Sequence, residues 1–326
     1  MGQRSNRLLT LVAACVAGFA VFAAVAVADT FIGDDGPDNF TGSSENDRFI
    51  TKGGNDVVNG KGGKDRVHAG AGDDEVHGGR GKDRIFGSLG NDTLDGDRGK
   101  DRIRGGKGDD TVRGGRDSDR LFGNAGNDVI NGLQAGDYIV GNAGDDNLTG
   151  DVPNAGDLVS KDKIYGGPGN DTVTGGDGRD RLHGGDGNDT TTGNAGRDRI
   201  SGGKGDDTSS GGNGNDRIFA NLGVDVTFGG EGNDDLWALA RGDVDTSGGP
   251  DNTGDTLHGQ QGDDRFHVRD GEKDVVDCGA GDDRVLADAV DTVTTDCETV
   301  TRAAPAQQDD ADENGQQDPK ADAKQG

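Results

Sequence analysis

An aspartate recurs at every ninth residue through most of this chain, and that spacing limits what it can fold into. The row runs Asp29, Asp38, Asp47, Asp56, Asp65, Asp74, Asp83, Asp92, Asp101, Asp110, Asp119, Asp128, Asp137 and Asp146. After one longer block it resumes at Asp162 and continues through Asp171, Asp180, Asp189, Asp198, Asp207, Asp216, Asp225 and Asp234 to Asp243, with looser copies at Asp255, Asp264, Asp274 and Asp283. The block Gly105-Gly106-Lys107-Gly108-Asp109-Asp110-Thr111-Val112-Arg113 gives the pattern: glycine at positions one, two and four, Asp at six, an apolar residue at eight. A fixed period of this kind specifies a solenoid, in which each unit packs only on its neighbours.

A second period, of 18, lies over the first. Basic residues follow the aspartate in alternate blocks (Arg48, Arg66, Arg84, Arg102, Arg120, Lys163, Arg181, Arg199, Arg217), and Thr or Val stands there in the blocks between. One structural turn therefore holds two nonapeptides. Each contributes a glycine-rich turn and a short strand centred on position eight, and the turns stack about 4.8 Å apart into two parallel sheets. Position eight points inward and is apolar at Ile85, Leu94, Ile103, Val112, Leu121 and Ile130; Thr191, Ser209, Thr227 and Asp245 are exceptions expected on one wall. The long block, residues 150–165, is expected to loop out of a single turn.

Composition sets a physical problem. With 64 Gly, 29% hydrophobic residues and a formal charge of −28, the chain would ordinarily be disordered. One inward residue per block contributes about 1.5–3 kcal/mol on burial, while ordering nine backbone residues costs on the order of 9–18 kcal/mol. Backbone hydrogen bonds at about 0.5–1.5 kcal/mol each do not securely close the gap. The aspartate row points to a cation as the missing stabiliser. The same acidity argues against nucleic acid as a partner.

The pattern resembles the glycine- and aspartate-rich nonapeptide repeats of the RTX family. Blocks starting at Gly78, Gly105, Gly166, Gly175, Gly184, Gly202, Gly211 and Gly229 carry the resemblance with all three glycines and the Asp. It implies an all-β fold, a calcium-bound parallel β-roll solenoid with two nonapeptides per turn, in which ions sit between stacked turns. The implied side-chain ligands are Asp65, Asp74, Asp83, Asp92, Asp101, Asp110, Asp119, Asp128, Asp146, Asp171, Asp180, Asp189, Asp198, Asp207, Asp216 and Asp234. The implied backbone turns include Gly78, Gly81, Gly105, Gly108, Gly175, Gly178, Gly184, Gly187, Gly202 and Gly205. Calcium suits carboxylates and carbonyls in flexible turns, whereas magnesium demands tighter octahedral geometry. Asn or Asp at position five (Asn91, Asp109, Asn127) reads as a turn former. Blocks at Thr51, Gly132, Ala220 and Ala238 depart from the glycine pattern, so full occupancy is not expected there.

The ends differ from the middle. Residues 1–28 have Arg4 and Arg7, an apolar run and Ala26-Val27-Ala28, which describe a signal peptide, with an uncleaved anchor as the alternative. The roll is expected over residues 29–149 and 166–273, a C-terminal cap over 274–302 and a disordered acidic tail over 303–326. Cys278 and Cys297 flank an apolar cluster in a chain expected to be exported, and are expected to form a disulfide. His68, His77, His183, His258 and His267 all fall at the outward position nine, and no hydrolase, zinc-protease or P-loop motif occurs. The expectation is a non-enzymatic, calcium-binding protein, secreted, extracellular or on the cell surface, with a structural role and no stable membrane insertion after signal cleavage. The alternatives are a calcium-dependent adhesin or glycan-binding module, with cell-wall or extracellular polysaccharide as partner, or an accessory subunit of a secreted enzyme. The stripe Arg66, Arg84, Arg102 and Arg120 is expected to be offset by neighbouring acids.

Overall fold

The computed structural model describes residues 28–151, 160–238 and 254–304. The expected signal peptide, apart from Ala28, and most of the expected tail lie outside the described residues, as do Asp243 and Asp245.

Among the described residues, two long parallel sheets of 15 and 14 strands run the length of the roll, a two-stranded sheet pairs Gly62–Gly63 with Arg80–Gly81, and there is no helix. Neighbours within a sheet come from alternate blocks. Arg84 pairs with Arg102 and Arg102 with Arg120 in one sheet, while Thr93 pairs with Thr111 and Thr111 with Val129 in the other. The side-chain alternation of a strand then explains the burial. Position eight faces between the sheets, so Val67, Ile85, Ile103 and Leu121 on one wall, and Val76, Leu94, Val112 and Ile130 on the other, are 0% exposed.

The turns stack closely because glycine leaves room for them. Gly106 and Gly108 have φ of 141° and 118°, and a Cβ on either would run into the backbone of Ser88 or Gly90 one turn earlier.

Irregularities are absorbed without breaking either sheet. Tyr138 pairs directly with Lys163, a step of 25 residues across the long block. Val226 pairs with Thr256, and Asp235 with Arg265, each a step of 30. The 14-stranded sheet thus passes from Thr227 to Leu257. Thr191, Ser209 and Thr227 do share one wall and are each 1% exposed. The hydroxyls of Thr191 and Ser209 lie 2.7 Å apart and satisfy each other.

At the N-terminal end Phe31 stacks on Phe49 (centroids 4.7 Å apart) and leans on Phe40, covering the first core layer. At the other end, strands Val275–Ala280, Arg284–Ala287, Thr292–Val293 and Thr299–Arg302 extend both sheets with irregular steps. Cys278 and Cys297 are disulfide-bonded there, with Cα atoms 5.3 Å apart.

Candidate metal centre

Each position-six aspartate ends a glycine-rich turn, and the 18-residue register stacks it on the aspartate of the next turn along the same edge of the roll. Its backbone N–H donates to Oδ1 of that next aspartate. On one edge Asp65 donates to Asp83, Asp83 to Asp101 and Asp101 to Asp119, each at 2.7 Å. This edge continues in the second half from Asp180 to Asp198, Asp198 to Asp216 and Asp216 to Asp234. On the other edge Asp74 donates to Asp92, Asp92 to Asp110, Asp110 to Asp128 and Asp128 to Asp146, at 2.8–2.9 Å. Asp146, Asp171, Asp189 and Asp207 carry it on. All sixteen aspartates singled out from the sequence therefore fall into two ladders. Asp101 and Asp110, nine apart, stand on opposite edges and are not brought together.

With Oδ1 committed to an amide, Oδ2 is left over. At Asp83, Asp101, Asp110, Asp128, Asp189 and Asp216, among others, Oδ2 is buried and has no hydrogen-bond partner. It faces the first glycine of its own block. A Cβ placed on Gly78 would lie 2.8 Å from Asp83 Oδ2 and 3.1 Å from the carbonyl oxygen of Gly96, one turn on. Gly175 stands likewise, 2.7 Å from Asp180 Oδ2 and 2.9 Å from Gly193 O, and Gly105, Gly184 and Gly202 face Asp110, Asp189 and Asp207 in the same way. A carboxylate oxygen and a carbonyl oxygen of the next turn thus border a space that only glycine leaves open. The fourth-position glycines Gly81, Gly108, Gly178, Gly187 and Gly205 all have positive φ, and a Cβ on any of them would press on a carbonyl oxygen one turn back.

Burial makes the ladders unfavourable as bare anions. It pushes Asp101 up to about 8, Asp65, Asp119 and Asp110 to about 7, and Asp83, Asp92 and Asp128 to about 6, although each Oδ1 hydrogen bond pulls the other way. Asp83 and Asp119 also raise Asp101 by their own charge. Rows of buried carboxylates, each with one unsatisfied oxygen beside a carbonyl, fit a hard divalent cation.

Sequence reasoning left out several equivalent positions. Asp56, Asp137, Asp162, Asp264 and Asp274 are as buried, with the same unpartnered Oδ2, although some of their blocks lack the glycine pattern. The nine-residue count was their signal, and glycine conservatism within the block hid it. Position five forms a second ladder, most continuous on the Asp110 edge, where Asp109 N–H donates to Asn91 Oδ1 and Asn127 N–H to Asp109 Oδ1, both at 2.8 Å. The five histidines do not converge: His68 stacks on Phe86, His267 on Trp237 and His258 on Phe228.

No curated protein matches the chain. A family model for the RTX calcium-binding nonapeptide repeat, spanning four copies at a time, matches in overlapping stretches covering residues 26–152, 160–236 and 251–285. With the ladders and both sheets in that register, the chain belongs to the family of RTX calcium-binding nonapeptide-repeat proteins.

Proposed function

We propose that this calcium-binding repeat protein is a secreted rod with a structural or cell-surface role, folded by the calcium it meets outside the cell. The observation that carries this reading is the buried, unpartnered Oδ2 repeated along both ladders. The position-six Oδ2 atoms and the leading-glycine carbonyls are the groups that would hold the ions. Calcium would supply a positive charge where the carboxylates otherwise repel, by roughly 3 kcal/mol for a pair about 5 Å apart at an effective dielectric of 20. Extracellular calcium modules have dissociation constants near 10⁻⁴–10⁻³ M. At ten times that concentration each independent site adds about 1.4 kcal/mol, so a dozen would decide the fold. The test is calcium titration followed by far-ultraviolet circular dichroism at neutral pH. β signal should appear between roughly 10⁻⁴ and 10⁻³ M calcium; a spectrum indifferent to chelator would overturn the reading.

A second reading, a calcium-dependent adhesin or glycan-binding module, is favoured by the outer face of the 15-stranded sheet. There the arginine column is not offset as expected: Arg66, Arg84, Arg102 and Arg120 take part in no ion pair among the described residues. Burial and then the charges of Arg104, Arg120 and Arg84 lower the pKa of Arg102. Beside this column runs an aromatic one, in which Arg104 reaches between Phe86 and Phe122, and Trp237 stacks between Phe219 and His267. An open groove of about 530 Å³ borders it, lined by Lys82, Lys100, Lys161 and Lys163 together with Arg84, Arg102 and Arg120, over the buried ladder carboxylates Asp83, Asp101, Asp119 and Asp137. Cations beside ring faces suit an acidic polysaccharide. Binding to immobilised polyuronate that falls with salt and with R66Q/R84Q/R102Q/R120Q supports this use; salt-independent or unchanged binding counts against it.

A further inference from the structure

The last turns of the roll depart from the nonapeptide. Between strands Arg265–Val268 and Val275–Ala280, a one-residue-longer loop reads Arg269-Asp270-Gly271-Glu272-Lys273-Asp274. The ladder registers the extra residue, since Asp255 N–H donates to Asp274 Oδ1 over 19 residues instead of 18. This loop supplies three acidic side chains where an ordinary turn supplies one at its ladder position. One carboxylate oxygen each from Asp270, Glu272 and Asp274 lie within 4.8 Å of one another.

The cluster is mostly internal, with Asp270 half-buried at its mouth. Asp274 is 0% exposed and Glu272 9%. Asp274 Oδ2 is buried with no hydrogen-bond partner. The next turn adds Asp288, 1% exposed, whose Oδ2 is also buried and unpartnered although Asp288 stands outside the ladder positions. Asp291 joins the two turns: its Oδ2 accepts the N–H of Asp288, and it feels the charges of both Asp288 and Asp270. Arg302 lies beside this group, but its guanidinium donates to the carbonyl oxygens of Asp288 and Asp291. Lys273 is exposed.

We infer that Asp270 and Glu272, joining the ladder aspartate Asp274 with Asp288 and Asp291 behind them, form an additional divalent-cation site at the C-terminal end of the ladder, built from side-chain carboxylates and selective for calcium over magnesium. Carboxylate-rich, irregular loops with oxygen ligands only suit the larger, more flexibly coordinated ion. Asp270 Oδ1 already accepts the N–H of Glu272 at 3.0 Å, which holds the loop's side chains on one side. This inference rests on the calcium-binding reading, and the test separates the two.

The experiment counts ions bound to the full chain, with its disulfide intact, by native mass spectrometry and equilibrium dialysis in calcium alone. The variant is D270N/E272Q, which keeps the size of both side chains and the acceptor for Glu272 N–H, and touches no ladder aspartate. K273A is the control. The expected result is a loss of one calcium ion from D270N/E272Q and none from K273A, with the β signal at saturating calcium retained. An unchanged ion count overturns the inference. So does loss of the whole complement, which would make the loop part of the common ladder. A parent chain that binds no calcium at all would instead refute the proposed function.

Discussion

The two edges of the roll share a backbone and differ in charge. One edge, the turns ending at Asp74, Asp92, Asp110 and Asp128, carries Asp or Asn at position five (Asp73, Asn91, Asp109, Asn127), whose Oδ1 atoms build the second ladder. The other, ending at Asp65, Asp83 and Asp101, carries Lys64, Lys82 and Lys100 there, with Arg66, Arg84 and Arg102 just after. Both nevertheless keep the N–H to Oδ1 ladder at 2.7–2.9 Å. The aspartate and the room left by glycine are therefore enough to build an edge. The flanking residues set its electrostatic surroundings. Where the basic edge regains Asn at position five, at Asn215 and Asn233, the second ladder returns, with Asn233 N–H donating to Asn215 Oδ1.

The largest expected effect concerns what the edges have in common. Without calcium, burial raises the carboxyls of Asp74, Asp83, Asp101, Asp110 and Asp119 to folded pKa values of about 6 to 8, above the ordinary unfolded value near 3.9. The folded chain then binds more protons than the unfolded one, so stability falls as pH rises. The protonated contribution is fully present below about pH 4 and is lost as pH climbs through 6 to 8. Chelator should abolish most β signal at pH 8 and little of it near pH 4.5, and calcium binding at pH 7 should release protons. Circular dichroism with chelator at the two pH values checks this; equal sensitivity would mean that the ladder carboxyls do not govern folding on either edge.

The second effect tests whether the edges act separately. Asp101 N–H donates to Asp119 Oδ1, whereas Asp110 bonds along its own edge to Asp128. D101A and D119A should therefore couple by about 0.5–3 kcal/mol in calcium-induced stability, while D101A and D110A should add to within about 0.3–0.5 kcal/mol. Double-mutant cycles from denaturant unfolding in calcium measure both. Equal coupling would erase the distinction between edges.

Much of this architecture is legible in the sequence because a solenoid repeats its instructions. The 18-residue alternation of Arg with Thr or Val placed Arg84, Arg102 and Arg120 on one sheet and Thr93, Thr111 and Val129 on the other, as the pairings have them. The length of a step is less legible: Thr227 pairs with Leu257 over 30 residues, a register set by which turns stack and not by the aspartate spacing alone. The division of labour within each carboxylate was also hidden. Composition cannot tell that Oδ1 caps an amide and Oδ2 is left for the ion, because that follows from the stacking distance. The absence of ion pairs along the arginine column is hidden for a related reason: in sequence each arginine follows an aspartate, but in the fold that aspartate is buried in the ladder with its Oδ1 bonded to an amide.

The smallest effect asks whether flanking charge alone distinguishes the edges. Lys82 and Lys100 line the groove alongside Asp83, Asp101 and Asp119. A lysine there adds a positive charge near the position a cation would take, at a cost that exposure and salt reduce to about 0.2–1 kcal/mol. K82N/K100N would remove that repulsion and offer the side-chain oxygen that Asn91 presents to Asp109 N–H on the other edge, a hydrogen bond contributing about 0.5–1.5 kcal/mol. Together these make about 0.7–2.5 kcal/mol, so the calcium midpoint should fall at least about threefold, since 1.4 kcal/mol is a factor of ten. The reverse change, N91K/N127K, should raise it by a similar factor and break the second ladder where Asp109 and Asp145 now donate. Both should shrink in high salt. Midpoints that stay fixed in both variants would leave position five without a part in setting calcium affinity, and the two edges would be equivalent in all but appearance.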